Sequence, residues 1–152
     1  MDKKQKLFIG FRIHFSERLN KQLVGLRQTF QSHNIKWVSP ENYHVTLKFL
    51  GIIEPYFIPS IKMALSNILT GYEAFSINID GLDVFTRKGK PKVLFCKVSR
   101  NDALAHMANS IQLEMEQFGF GKEYKYTPHV TIARIKHITN GNKLEDFMEI
   151  AK

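Results

Sequence analysis

The chain has a single cysteine in 152 residues, so no disulfide can close within it, and no Cys/His spacing of the zinc-binding kind occurs. Cys96 lies in an apolar, strand-like run and reads as a small buried hydrophobe. No apolar stretch approaches the length that spans a bilayer. The charged start, Met1-Asp-Lys-Lys-Gln-Lys6, is not followed by the apolar run and small residues of a secretory signal. These absences predict a soluble, cytoplasmic protein with no membrane partner. Low-complexity segments and long linkers are also missing, which leaves one domain, 43% hydrophobic, with material for a sizeable core. Acidic residues are scarce as well. Fourteen stand against 22 basic ones, a net charge of +8, and that excess favours a polyanionic partner.

What the chain does have is a repeated phrase. Tyr43-His-Val-Thr-Leu-Lys-Phe-Leu-Gly51 alternates as a half-buried strand does, which sends His44, Thr46 and Lys48 to one face and Val45, Leu47 and Phe49 to the other. His129-Val-Thr-Ile-Ala-Arg134 repeats the pattern, with His129 and Thr131 sharing a face. Six histidines and seven threonines would give roughly 0.3 His-X-Thr triplets by shuffling. Three occur. The third, at His137, runs straight into the turn signal Asn140-Gly141 with no apolar strand behind it, and reads as strand-end decoration. The other two are identical, sit in matching apolar runs and follow Pro40 and Pro128. Two strands that each present a His and a Thr across one groove would bring together two proton carriers and two hydroxyl donors, the equipment for acid/base chemistry on a phosphate. Glu41 is the only carboxylate close to the first motif, so neither a metal nor a cofactor is expected.

Along the rest of the chain, Leu7 to Phe15 alternates as a first strand. Ser16 is placed to cap a helix through about Phe30, with Leu19, Leu23, Leu26 and Phe30 as its apolar stripe. Ile35 to Val38 reads as a short strand before the first motif. Pro55 and Pro59 close that section, and Ile61 to Leu69 reads as a second helix ending near Gly71. Ala74 to Ile79 reads as a strand, followed by Gly81 to Phe85. Val93 to Val98 reads as another. Asn101 or Asp102 caps a helix to about Phe118, burying Leu104, Met107, Ile111, Met115 and Phe118, and Gly119 and Gly121 break it. Leu144 to Ile150 suggests a short final helix. The densest basic cluster, Arg87-Lys88-Gly89-Lys90-Pro91-Lys92, contains a turn signal and is placed on a loop between strands. This irregular alternation of strands and helices predicts an α+β fold.

Val38-Ser-Pro-Glu-Asn-Tyr-His-Val-Thr-Leu-Lys-Phe-Leu-Gly51 and Tyr126-Thr-Pro-His-Val-Thr-Ile-Ala-Arg134 closely resemble the two signature motifs of the two-histidine phosphoesterases. Within that group they resemble the RNA 2′,3′-cyclic phosphodiesterases, also called 2′-5′ RNA ligases. The likeness extends to Lys6-Leu-Phe-Ile-Gly-Phe11, Gly81-Leu-Asp-Val-Phe85 and Gly89-Lys-Pro-Lys-Val-Leu94, and so covers nearly the whole chain. It implies two lobes with antiparallel sheets and flanking helices around a central cleft, related by a pseudo-two-fold with one motif per lobe. It also implies that relatives continue for several strands past the second motif. Only a short tail follows Thr131 here, so the expectation is that terminal strands of one lobe are missing and a sheet edge is left to be covered.

The chemistry this resemblance implies is metal-free opening of a 2′,3′-cyclic phosphate on an RNA end. His44 would be the acid, His129 the base and a 2′-phosphate the product, with 2′-5′ ligation as the reverse reaction. Histidine suits both jobs because its ordinary pKa lies near neutrality. Thr46, Thr131 and Arg134 would donate to the non-bridging oxygens. Arg87, Lys88, Lys90 and Lys92 are candidates for contact with RNA phosphates, Phe85 for stacking on a base, and Tyr43 for a contact beside the first motif. Residues alone leave two rival readings open. One is a catalytically idle RNA-end-binding protein, and the other is a cyclic phosphodiesterase of small nucleotides.

Overall fold

The computed structural model describes residues 4–30, 34–121 and 126–137. The side chain of Ser16 accepts the Leu19 amide at 3.2 Å and starts helix α1, Glu17–Thr29. It thereby satisfies one of the amides that a helix N-terminus leaves without a partner. Leu23, Leu26 and Phe30 are buried. Helix α2, Ile58–Leu69, begins ahead of the expected Ile61. Pro59 sits in its first turn, where a missing N–H costs nothing, and does not close the preceding section. Asn101 caps α3, Asp102–Glu116, by accepting the Leu104 amide at 3.0 Å. Leu104, Met107, Ile111 and Met115 are buried along that helix. Gly119, with φ +87°, follows its end, a backbone state open to glycine at little cost.

Six strands complete the described chain: β1 Gln5–Arg12, β2 Asn34–Trp37, β3 His44–Ile53, β4 Ile79–Arg87, β5 Lys90–Val98 and β6 His129–His137. They hydrogen-bond in the order β1-β3-β6-β5-β4, with β2 also on β6. The β2–β6, β3–β6, β4–β5 and β5–β6 ladders are antiparallel. The architecture is α+β. The expected final helix, Leu144 to Ile150, lies outside the described residues, as does Thr139 of the third triplet. Among the described residues no helix is long and apolar enough to cross a membrane.

The chain divides into two compact units, each assembled from three segments. The first takes β1 as far as Phe11, β3 from Thr46 onward, α2 and α3. Its buried residues include Leu47, Ile53, Ile61, Leu104, Ile111 and Met115. The second takes α1, β2, the first two residues of β3, and β4, β5 and β6. It buries Leu23, Leu26, Val45, Leu94, Cys96, Val130, Ile132 and Ile135, among others.

Three further expectations are corrected. No strand runs from Ala74 to Ile79. Strand β4 starts at Ile79 and passes without a break through Gly81, which has φ +80° at a register shift between Ile79 and Leu82. The glycine marks a bulge inside one strand, where the sequence suggests a gap between two. The basic cluster is mostly not loop either. Arg87 ends β4 and Lys90 opens β5, so only Lys88 and Gly89 make the turn, with φ of 53° and 75°. Positive φ at both central residues marks the two-residue hairpin turn whose twist matches its strands. Pro91 is accommodated in β5 because the ladder shifts register beside it. Finally, burial along β3 inverts after Leu47. Lys48 is 3% exposed and donates through Nζ to the Gly121 carbonyl at 2.5 Å, while Phe49 is 59% exposed. A lysine that far from water needs such partners.

Candidate active site

One pairing organises the site. Val45 of β3 lies opposite Val130 of β6 in an antiparallel ladder. Such a pair has a local two-fold axis through its midpoint, perpendicular to the sheet, so His44 is related to His129. The same register sets residue 44 across from residue 131. Directly opposed residues share a face, and so do residues two apart on one strand. His44, His129 and Thr131 therefore share one face of the second unit, with Val45 and Val130, both 0% exposed, on the other. The two histidines stand diagonally across the pair, a geometry that sets such residues about 7–8 Å apart, with their Cβ atoms somewhat closer. That is room for one tetrahedral group between two rings. Thr46 stands two residues from His44 along β3 and belongs to the first unit. There its carbonyl accepts the Tyr126 hydroxyl at 2.8 Å.

Arg134 reaches the same face by an irregularity. Strict alternation from Thr131 would send it to the opposite side. The β5–β6 register shifts by one residue between Leu94 and Phe95, so Thr131 faces Phe95 while Arg134 faces Val93. Phe95 and Val93 are two apart and share a side of β5. The extra residue falls at Ile132 and Ala133, which are consecutive and both 0% exposed. A bulge has re-aimed the arginine, a use that bulges often have beside functional sites.

Each histidine is held from a different direction. His44 Nδ1 lies 2.8 Å from the Asn42 carbonyl oxygen. A carbonyl only accepts, so Nδ1 carries the hydrogen and the neutral ring keeps its lone pair on Nε2. Asn42 stands there because Pro40–Asn42 forms one 3-10 turn just ahead of β3. The His129 ring is met edge-on by Phe85, with centroids 4.9 Å apart at 85°, and by Phe95, at 5.2 Å and 63°. The two phenyl rings stack on each other at 4.1 Å. Phe95 and the Asn42 carbonyl are supports that the sequence did not disclose, since both contacts depend on the register and the turn.

The remaining candidates divide. Phe85 pairs with Val93 and is 37% exposed, so it stands on the histidine face beside Arg134. Arg87, two residues on, shares that face and lies opposite Lys90. Lys88 is in the turn, and Lys92 is the extra residue where the β4–β5 register shifts. All four cations are exposed. Tyr43 is a correction: it is 5% exposed, its ring 4.9 Å from that of Phe15, and burial raises its pKa. Preceding His44 in extended backbone, it falls on the Val45 side and is core, not an RNA contact. A cavity of about 540 Å³ lies on that apolar side, lined by Leu23 and Leu26 of α1 with Leu82 and Cys96 of the sheet, away from the histidines. Among the described residues no three of His, Cys, Asp and Glu are grouped to hold a metal ion.

Comparison with known proteins adds a family. The model described as LigT-like phosphoesterase matches residues 13–95. A protein of Thermotoga maritima named RNA 2′,3′-cyclic phosphodiesterase is 37% identical over 127 residues, covering 82% of this chain and 68% of that protein. One of the same name from Methanothermobacter thermautotrophicus is 30% identical over 138 residues, covering 90% of this chain and 75% of the other. The crystal structure of a Thermus thermophilus protein, TT0787, superposes with a TM-score of 0.72 at 26% identity, covering 90% of this chain and 77% of that one.

Proposed function

Since the chain belongs to the LigT-like phosphoesterase family, we propose that it opens terminal 2′,3′-cyclic phosphates on RNA to 2′-phosphates, with His44 and His129 as the acid/base pair. The observation that carries this reading is the pairing of Val45 with Val130, which relates the two imidazoles by a local two-fold about a common point. In the reaction one neutral imidazole takes a proton from water as its oxygen bonds to phosphorus. The P–O3′ bond breaks on the opposite side, and the other imidazole, protonated, gives its proton to O3′. The assignment that suits the family is His129 as base and His44 as acid. Each such proton transfer is worth about 10²–10⁴ in rate.

Charge grows on the non-bridging oxygens as water attacks. Thr131 and Arg134 on the histidine face, with Thr46 on the strand of His44, donate to it. A fixed donor aimed at developing charge contributes on the order of 3 kcal/mol where water is excluded. By microscopic reversibility the same groups join a cyclic end to a 5′-hydroxyl, so 2′-5′ ligation is this site run backwards. No step calls for a metal.

The test offers a 2′,3′-cyclic mononucleotide and an oligonucleotide with the same end to the wild type, His44→Ala and His129→Ala, in excess chelator. The wild type is expected to open the oligonucleotide faster, with each variant slower by 10³-fold or so. Equal background rates for all three proteins would leave an RNA-end-binding protein. Preference for the mononucleotide would point to a small-nucleotide enzyme. Turnover that returns only with a divalent ion would overturn the metal-free mechanism.

A further inference from the structure

Lys36 plays no part in the chemistry above, yet the β2–β6 register sets it directly opposite Arg134. Opposed residues share a face, so its ammonium stands on the histidine side of the second unit. Both side chains are exposed. Among the described residues neither has a carboxylate partner. Like charges directly opposed across a ladder repel and destabilise the pair. The repulsion turns into attraction when an anion lies between them. A lysine on a short edge strand also guards against edge-to-edge pairing, but that role needs neither this face nor a cation across from it.

We propose that Lys36 and Arg134 form a subsite for the internucleotide phosphate that precedes the terminal nucleoside. This rests on the reading of His44 and His129 as the site of the cyclic phosphate. The row of Lys36 and Arg134 is the next same-face row along β6 from that of His44 and Thr131, one step of about 6.5 Å away. That step is close to the spacing of successive phosphates along an RNA strand. Arg134, with five donors in a fixed fork, can hold one oxygen of each phosphate. Lys36 supplies the point charge that only the second phosphate meets. The subsite makes the enzyme prefer a polynucleotide end to a cyclic mononucleotide, and it does so without reading a base.

The experiment uses two dinucleotides ending in a 2′,3′-cyclic phosphate, one with an ordinary linkage and one with an uncharged methylphosphonate linkage. The wild type is expected to favour the charged linkage in kcat/KM by about five- to tenfold, the scale of one exposed charge-assisted contact. Lys36→Gln should cut that preference to about twofold, chiefly through KM, and Lys36→Arg should keep it. An unchanged preference in Lys36→Gln overturns the subsite. Binding of the same two linkages ended by a 2′-phosphate gives a readout free of turnover. If that binding shows the Lys36 dependence while neither cyclic substrate is opened, the hydrolase reading falls and the subsite stands. Normal turnover with no dependence on Lys36 in either measurement sinks the subsite alone.

Discussion

A carbonyl and two phenyl rings help to hold the histidines. The Asn42 oxygen fixes the hydrogen of His44 on Nδ1, while Phe85 and Phe95 make T-shaped contacts with the ring of His129. On the reverse of the same sheet, behind Phe95 and paired with Val130, lies Cys96. It is 0% exposed, and burial pushes its thiol up to about 12. A thiol in the unfolded chain titrates near 8.5. Below that pH both states keep the proton and the contribution to stability is whole. Between the two values the unfolded chain ionises and the folded one does not, so stability falls as pH rises. Comparing urea midpoints from about pH 8 to pH 11, Cys96→Ala should be less stable at neutral pH but lose stability less steeply with alkali. The difference in slope can reach about 1.4 kcal/mol per pH unit for one proton. Parallel curves for the two proteins would mean that the thiol ionises in place.

Elements carry the next layer, and the β4–β5 hairpin shows what holds them. Lys88 sits at φ 53° with Gly89 at 75°. Glycine adopts that state freely, but a lysine there costs about 1 kcal/mol. Asparagine suits the position, and Asn-Gly is the favoured pair in this turn. Lys88→Asn should therefore stabilise the protein by about 0.5–1 kcal/mol in chemical denaturation, while RNA binding stays level or weakens slightly. A loss of stability would show that the lysine side chain makes a contact worth more than the strain. Most of the strands and helices that position the site could be read in advance. Ser16 and Asn101 announce their helices, and identical His-Val-Thr triplets announce β3 and β6. Local alternation also bore on Tyr43: the residue before an outward histidine points inward. What periodicity does not carry is register. The bulge that turns Arg134 outward exists only against β5. Lys36 becomes a partner of Arg134 only because β2 lies on β6. Gly81 looked like a boundary because a bulge and a gap leave the same mark in a sequence.

At the scale of the whole molecule, the excess of 22 basic over 14 acidic residues draws any polyanion, so charge alone does not separate a bound RNA path from general attraction. Position does. Arg87 and Lys90 are opposed at the hairpin tip on the face of Phe85, the same side as the histidines. Like Lys36 and Arg134, they are two cations set across from each other. If an RNA strand runs from the cyclic end past Phe85 to this tip, two phosphates are neutralised there. Each phosphate contact on a single strand adds about 0.7 to the slope of log K against log salt. The variant carrying both Arg87→Gln and Lys90→Gln should then bind a product-ended oligonucleotide with a slope about 1.4 shallower than wild type. A dinucleotide too short to reach the hairpin should bind both proteins with the same slope. General attraction predicts otherwise, because removing two of many charges shifts affinity for both lengths alike. Slopes that fall equally for the long and the short RNA would therefore assign the hairpin to the protein's overall field and leave the strand's path elsewhere.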